Sequence, residues 1–142
     1  MNEAQNTKKS IMVLPQAIGT DSVTGRVDCK GWDYCSIDVI ADTAAAGDVM
    51  TTLKIGQGDT TSAFTDISGA IGGTDFTIPA PNTSTGDIMS FEVDTRVKQR
   101  YLQLTMVGDA TTRLTTVVAT LSRGEQPPTS ATNRGVTTLV QV

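Results

Sequence analysis

The sequence predicts an all-β fold: one β-sandwich or jelly-roll-like domain with an extended arm at each end. Three observations predict it. Between Asp87 and Ser122 apolar and polar residues alternate with a period of two, the pattern of a half-buried antiparallel sheet. Turn signals recur about every 8–12 residues between short apolar runs. The three alanines at 44–46 make too short a run for a free-standing helix, and no other segment suggests one.

The elements follow in order. Residues 1–10 are polar, with Lys8-Lys9 near their end, and read as a flexible N-terminal arm. Ile11-Met12-Val13-Leu14 is an apolar run stopped by Pro15, suited to an edge strand or to docking on a neighbour. A turn at 19–22 leads to a short strand at 23–27, and a longer strand at 32–40 ends in the small-residue loop 41–48. Val49, Thr51, Leu53 and Ile55 alternate until Gly56-Gln57-Gly58-Asp59 breaks the run. A brief strand at 64–67 meets the glycine-rich stretch 68–73, and Pro79 and Pro81 forbid a central strand after Phe76-Thr77-Ile78.

The strongest strands come last. Met89, Phe91 and Val93 alternate with Ser90, Glu92 and Asp94; Leu102, Leu104 and Met106 with Tyr101, Gln103 and Thr105; Val117, Ala119 and Leu121 with Val118, Thr120 and Ser122. The body therefore runs over 11–122. Residues 123–142 form an extended tail that still carries Val136, Leu139, Val140 and Val142.

A chain of 142 residues is one domain's worth. With 38% hydrophobic and only 4% aromatic residues, its core is expected to be thin. Two dozen threonines supply β-branched bulk in place of Val and Ile. The formal charge of −4 argues against a general nucleic-acid binder, which needs a basic footprint. Most Asp residues fall in turns, where the side chain bonds its own backbone. No stretch approaches the roughly 18 apolar residues of a membrane span. The first residues lack a basic and an apolar export region, so synthesis in a reducing cytosol is the expectation. Cys29 and Cys35 flank 30–33 and are expected as packed free thiols, since a bridge would close only a very short loop.

Catalytic chemistry finds little to stand on. Without histidine, a hydroxyl nucleophile would need a lysine or amine as base, and none of the five lysines sits in a recognisable motif. The carboxylate pairs Asp33/Asp38 and Glu92/Asp94 are common on solvated strands. The 56–59 loop lacks both the acidic ligands of a calcium site and the GK[ST] of a phosphate loop. The expectation is a non-enzyme with no catalytic residues, no cofactor and no metal.

Contact residues are the candidates instead. Arg96, Lys98 and Arg100 would share one side of an extended segment, either as a solvated turn or as a docking patch for an acidic surface. The apolar runs Ile11, Met12, Val13, Leu14 and Val136, Leu139, Val140 are candidates to lie against a neighbouring chain. Trp32 and Tyr34 share a strand side, where they are core or a platform for stacking a sugar.

Several phrases carry a family resemblance. Residues 13–18 (VLPQAI) and 28–34 (DCKGWDY) resemble the opening of small structural proteins from tailed-bacteriophage head gene clusters. Residues 62–70, 94–104 and the ending 121–129 (LSRGEQPPT) are similar too. The resemblance implies a virion protein, specifically a capsid decoration or cement protein. It implies a β-sandwich or jelly-roll homotrimer on the capsid exterior, bridging major capsid proteins, and brings no catalytic residues with it. A tail, baseplate or head-fibre component, or a carbohydrate-binding module using Trp32 and Tyr34, are the alternative readings. Far-ultraviolet circular dichroism is expected to show a β spectrum with under about 10% helix.

Overall fold

The computed structural model describes residues 6–125, 128 and 130–139. Eight strands occur in chain order: β1 (Thr7–Ile18), β2 (Val23–Asp28), β3 (Trp32–Ala41), β4 (Thr52–Gly58), β5 (Thr65–Ile71), β6 (Asp87–Asp94), β7 (Tyr101–Val107) and β8 (Arg113–Gly124). They form two four-stranded sheets, ordered β1-β8-β3-β6 and β2-β7-β4-β5, with every neighbouring pair antiparallel. Strands take 54% of the described residues and helix 3%, so the all-β sandwich stands as expected.

The alternating runs place their apolar sets inward. Leu102, Leu104 and Met106 on β7 and Val117, Ala119 and Leu121 on β8 are all fully buried. Ile37 and Val39 on β3 and Leu53 and Ile55 on β4 complete the contact between the sheets. No aromatic ring is among the most deeply buried side chains; Phe76 and Phe91 meet edge to face at the half-buried margin, 5.6 Å apart.

The two lateral margins differ. At one, β1 lies on β2 so closely that a Cβ on Gly25 would sit 2.4 Å from the Met12 carbonyl oxygen. Only glycine fits there. At the other, β6 and β5 leave a groove of about 590 Å³, partly filled by Phe76 from the strand-free segment between them.

Several boundaries depart from the sequence reading. β1 begins at Thr7, inside the polar 1–10 segment, because Thr7, Lys8 and Lys9 pair with Ser122, Leu121 and Thr120 of β8. Lys9 faces outward beside Thr120 and Lys8 takes the half-buried inward side beside Leu121, both tolerated at the edge of a sheet. Register shifts flank Val13, so Met12 and Val13 both turn inward while Ile11 and Leu14 both turn outward. Strict alternation cannot produce that arrangement. β5 continues through Gly69, whose φ of +91° is open to glycine, where composition suggested an interruption. β8 begins at Arg113, earlier than its apolar run.

Among the described residues Arg113 is the most buried charge. Its side chain is 6% exposed and pairs with Asp87, the first residue of β6, while its Nε donates to the Asp42 carbonyl. The Asn82 backbone N–H also donates to Asp87, at 2.9 Å. That hydrogen bond, with Arg113 next in size, holds the Asp87 carboxyl below its ordinary value. A depressed folded value contributes stability above the unfolded pKa of about 3.9 and loses it as pH falls through the folded one. Asp87→Ala is therefore expected to cost about 3 kcal/mol near neutral pH, with less difference from wild type below about pH 3. Urea unfolding at both pH values checks it.

Candidate docking surface

The β2–β3 connection passes from one sheet to the other and forms one end of the sandwich. Asp28 turns the chain by accepting from the Lys30 N–H at 3.0 Å, and Gly31 takes a φ of +80°. From the opposite side comes the link between β6 and β7. Asp94 caps a 3-10 turn at Thr95–Val97 by accepting from the Arg96 N–H, and the Thr95 hydroxyl donates to the Trp32 carbonyl. These two connections enclose a hollow of about 480 Å³ lined by Lys30, Trp32, Asp33, Arg96, Lys98, Arg100 and Glu125, among others.

The three basic candidates thus surround one concavity, though not along one extended side as the spacing suggested. The 3-10 turn rotates Arg96 away from Arg100. Arg96 grips Asp94 with two hydrogen bonds, at 2.9 and 2.7 Å, and donates to the Tyr34 hydroxyl at 2.7 Å. Arg100 turns towards the other sheet, where it holds both oxygens of Asp28 at 3.0 and 2.6 Å and lies over the Tyr101 ring. Arg96 pulls the Asp94 carboxyl below its usual range and Arg100 does the same to Asp28; both guanidinium pKa values rise in return. Lys98 and Lys30 carry no ion pair among the described residues. Lys30 was not singled out by the sequence, because only the crossing between sheets brings it here.

Tyr34 sits between two cations, with the Arg96 guanidinium 5.0 Å and that of Arg123 5.2 Å from its ring centre. Arg123 adopts a φ of +52°, rare for a side-chain-bearing residue, just before Gly124, the last residue of β8, pairs with Trp32. Trp32 lies against Gly124, where a Cβ would come within 2.9 Å of the indole. The two aromatics are therefore engaged within the fold rather than presented together as a platform.

The apolar candidates divide. Met12 and Val13 belong to the chain's own core, whereas Ile11 and Leu14 are 60% and 66% exposed. Val136 and Leu139 are half-buried beyond a turn that packs on β1, where the Lys9 N–H donates to the Arg134 carbonyl at 2.8 Å. Val140 lies outside the described residues.

Cys29 and Cys35 are free and buried. They meet between the two sheets rather than across a hairpin, since β2 and β3 belong to different layers. A hydrogen bond with the Cys29 thiol, followed by burial, pushes the Cys35 thiol well above its ordinary value.

No protein-family profile and no curated protein matches the chain. Solved structures similar in shape include a protein of Bacillus endospore appendages, described as disulfide-linked pili. It is 16% identical with a TM-score of 0.47, over 85% of this chain and 90% of that one. Another is VP2 of the infectious bursal disease virus subviral particle, 11% identical with a TM-score of 0.52. That match covers 86% of this chain and 34% of VP2. At this identity the likeness to VP2 is one of fold.

Both thiols are expected to resist a disulfide-exchange reagent at pH 8 in the native protein and to react fully in denaturant. Absorbance of the released thiolate follows this directly. Rapid native labelling of Cys35 would contradict its burial.

Proposed function

We propose that this chain is a virion structural protein that decorates and stabilises a capsid by bridging major capsid proteins on the outer shell. The observation that carries the reading is the hollow at the end of the sandwich, where Lys30, Arg96, Lys98 and Arg100 gather beside the carboxylates of Asp33 and Glu125. Lys30 and Lys98 add charge there with no ion pair among the described residues, beside two arginines already fixed by Asp28 and Asp94. An acidic loop entering the hollow meets pre-positioned donors, so little ordering cost falls on the protein. The phage head-protein phrases supply the class of partner. The fold shared with VP2 of a subviral particle is compatible with such work.

Bridging explains the economy of the site. Each contact to a capsid subunit need only be weak if one particle-bound protein holds several subunits together. A ligand that binds only the assembled shell stabilises it by mass action. The engaged state of Trp32 and Tyr34 favours this reading over sugar recognition.

Co-sedimentation with particles of the major capsid protein tests it. Replacing Lys30 and Lys98 with Ser is expected to weaken binding at least about tenfold. Lys30 is exposed and Lys98 half-buried, and neither makes an ion pair among the described residues, so the change in folding stability should stay within about 1 kcal/mol. Decorated particles are expected to withstand heating better than bare ones. Equal robustness of bare and decorated particles, or binding to the tail alone, would overturn the proposal.

A further inference from the structure

The outward face of the β1-β8-β3-β6 sheet can be mapped row by row from its register. One row reads Lys9, Thr120, Ser36, Glu92 from edge to edge; the next reads Ile11, Val118, Asp38, Ser90. In the third, Thr116 pairs with Ile40, which pairs with Ile88, and Leu14 lies in the β1 irregularity between Val13, opposite Val117, and Gln16, opposite Thr115. Leu114 follows on β8, beside a shallow recess of about 300 Å³ lined by Pro15, Ile40 and Thr116.

Part of this face is unusually apolar for a surface turned to solvent. Ile11, Leu14, Ile40, Ile88 and Leu114 are 60%, 66%, 40%, 69% and 58% exposed. Together they leave on the order of 500 Å² of apolar surface, at the upper end for a monomer. A standard interface buries about 800 Å² on each partner, so the stripe has the size of its apolar centre.

We infer that this face pairs with the same face of a second copy, about a two-fold axis running along the strands between β8 and β3. Such an axis carries β1 of one copy onto β6 of the other while keeping each row on itself. Leu14 then meets Ile88 of the second copy, and Ile40 meets the methyl of Thr116. The charges select the partner. Lys9 at the β1 edge falls opposite Glu92 at the β6 edge, and the symmetry makes that pair twice. An axis across the strands would leave both rows mismatched. Asp38 enters the contact with its carboxylate already accepting from the Ser36 and Ser90 hydroxyls, which limits the cost of covering it. Sheets packed face to face lie within about 30° of alignment, so the rows near the axis stay matched. The pairing is isologous and closes at two, whereas the phage resemblance implied three. It leaves the basic hollow at the end of each sandwich and stands independently of the capsid reading.

Sedimentation equilibrium of the full chain at low salt tests it. The expected particle has twice the chain mass of 14.9 kDa. Ile88→Asp should weaken association at least about tenfold. Because that variant places a new charge on a strand, a second pair of variants decides the matter should it misfold. Lys9→Glu and Glu92→Lys should each weaken the dimer several-fold, and the double reversal should restore it to within about twofold. A monomer at about 100 µM, a trimer, or a double reversal no tighter than either single one would overturn the pairing. The Lys30/Lys98 variant should dimerise normally, so loss of capsid binding with an intact dimer would count against the capsid reading alone.

Discussion

The structure depends on the dry contact between β3 and β8 on one side and β4 and β7 on the other. These central strands bring Ile37, Val39, Val117, Ala119 and Leu121 against Leu53, Ile55, Leu102, Leu104 and Met106, all essentially without solvent exposure. The layer is aliphatic and narrow, with no large ring at its centre to bridge a misfit. Close packing must therefore come from shape matching between small β-branched and γ-branched side chains. The edge strands are arranged around this layer and depend on it for their orientation.

That dependence reaches the surface through ordinary strand geometry. Because Leu121 and Cys35 are fixed inward, Ser122 and Tyr34 must point outward, and Tyr34 is delivered to Arg96 and Arg123. Because β2 and β3 lie in different layers, their connection must cross the end of the sandwich. The crossing carries Lys30 and Trp32 to the link between β6 and β7 and so builds the basic hollow. Arg113 acts in the same way at the other end, tying β8 to the start of β6 and to the loop after β3. A surface site on this protein is thus a consequence of strand order.

Strand order is also what the sequence could not disclose. The inward sets of β6, β7 and β8 were legible because alternation there is unbroken, and composition correctly excluded helices. Alternation says which side a residue takes, but not which strand lies beside it. The register shifts in β1 split its apolar run, placing Met12 and Val13 inward and Ile11 and Leu14 outward, which alternation does not foretell. At the hollow, Arg96, Lys98 and Arg100 were visible as a basic cluster, yet their separate orientations follow from the 3-10 turn at 95–97. Lys30 could be joined to them only through the sheet topology.

Ile40 and Ile88 show a signal that was present but unweighted. Each occupies an outward position, Ile40 in line with Ser36 and Asp38, Ile88 in line with Ser90 and Glu92. Seen along either strand alone, one outward isoleucine is unremarkable, since folded proteins expose many single apolar residues. Their meaning comes from pairing directly with each other, and from Thr116 and Leu14 continuing the row. Two strands separated by more than forty residues each spend an outward position on isoleucine at the same level of the sheet. A face built only for water would gain nothing from that coincidence, whereas a face that meets its own copy uses each such position twice.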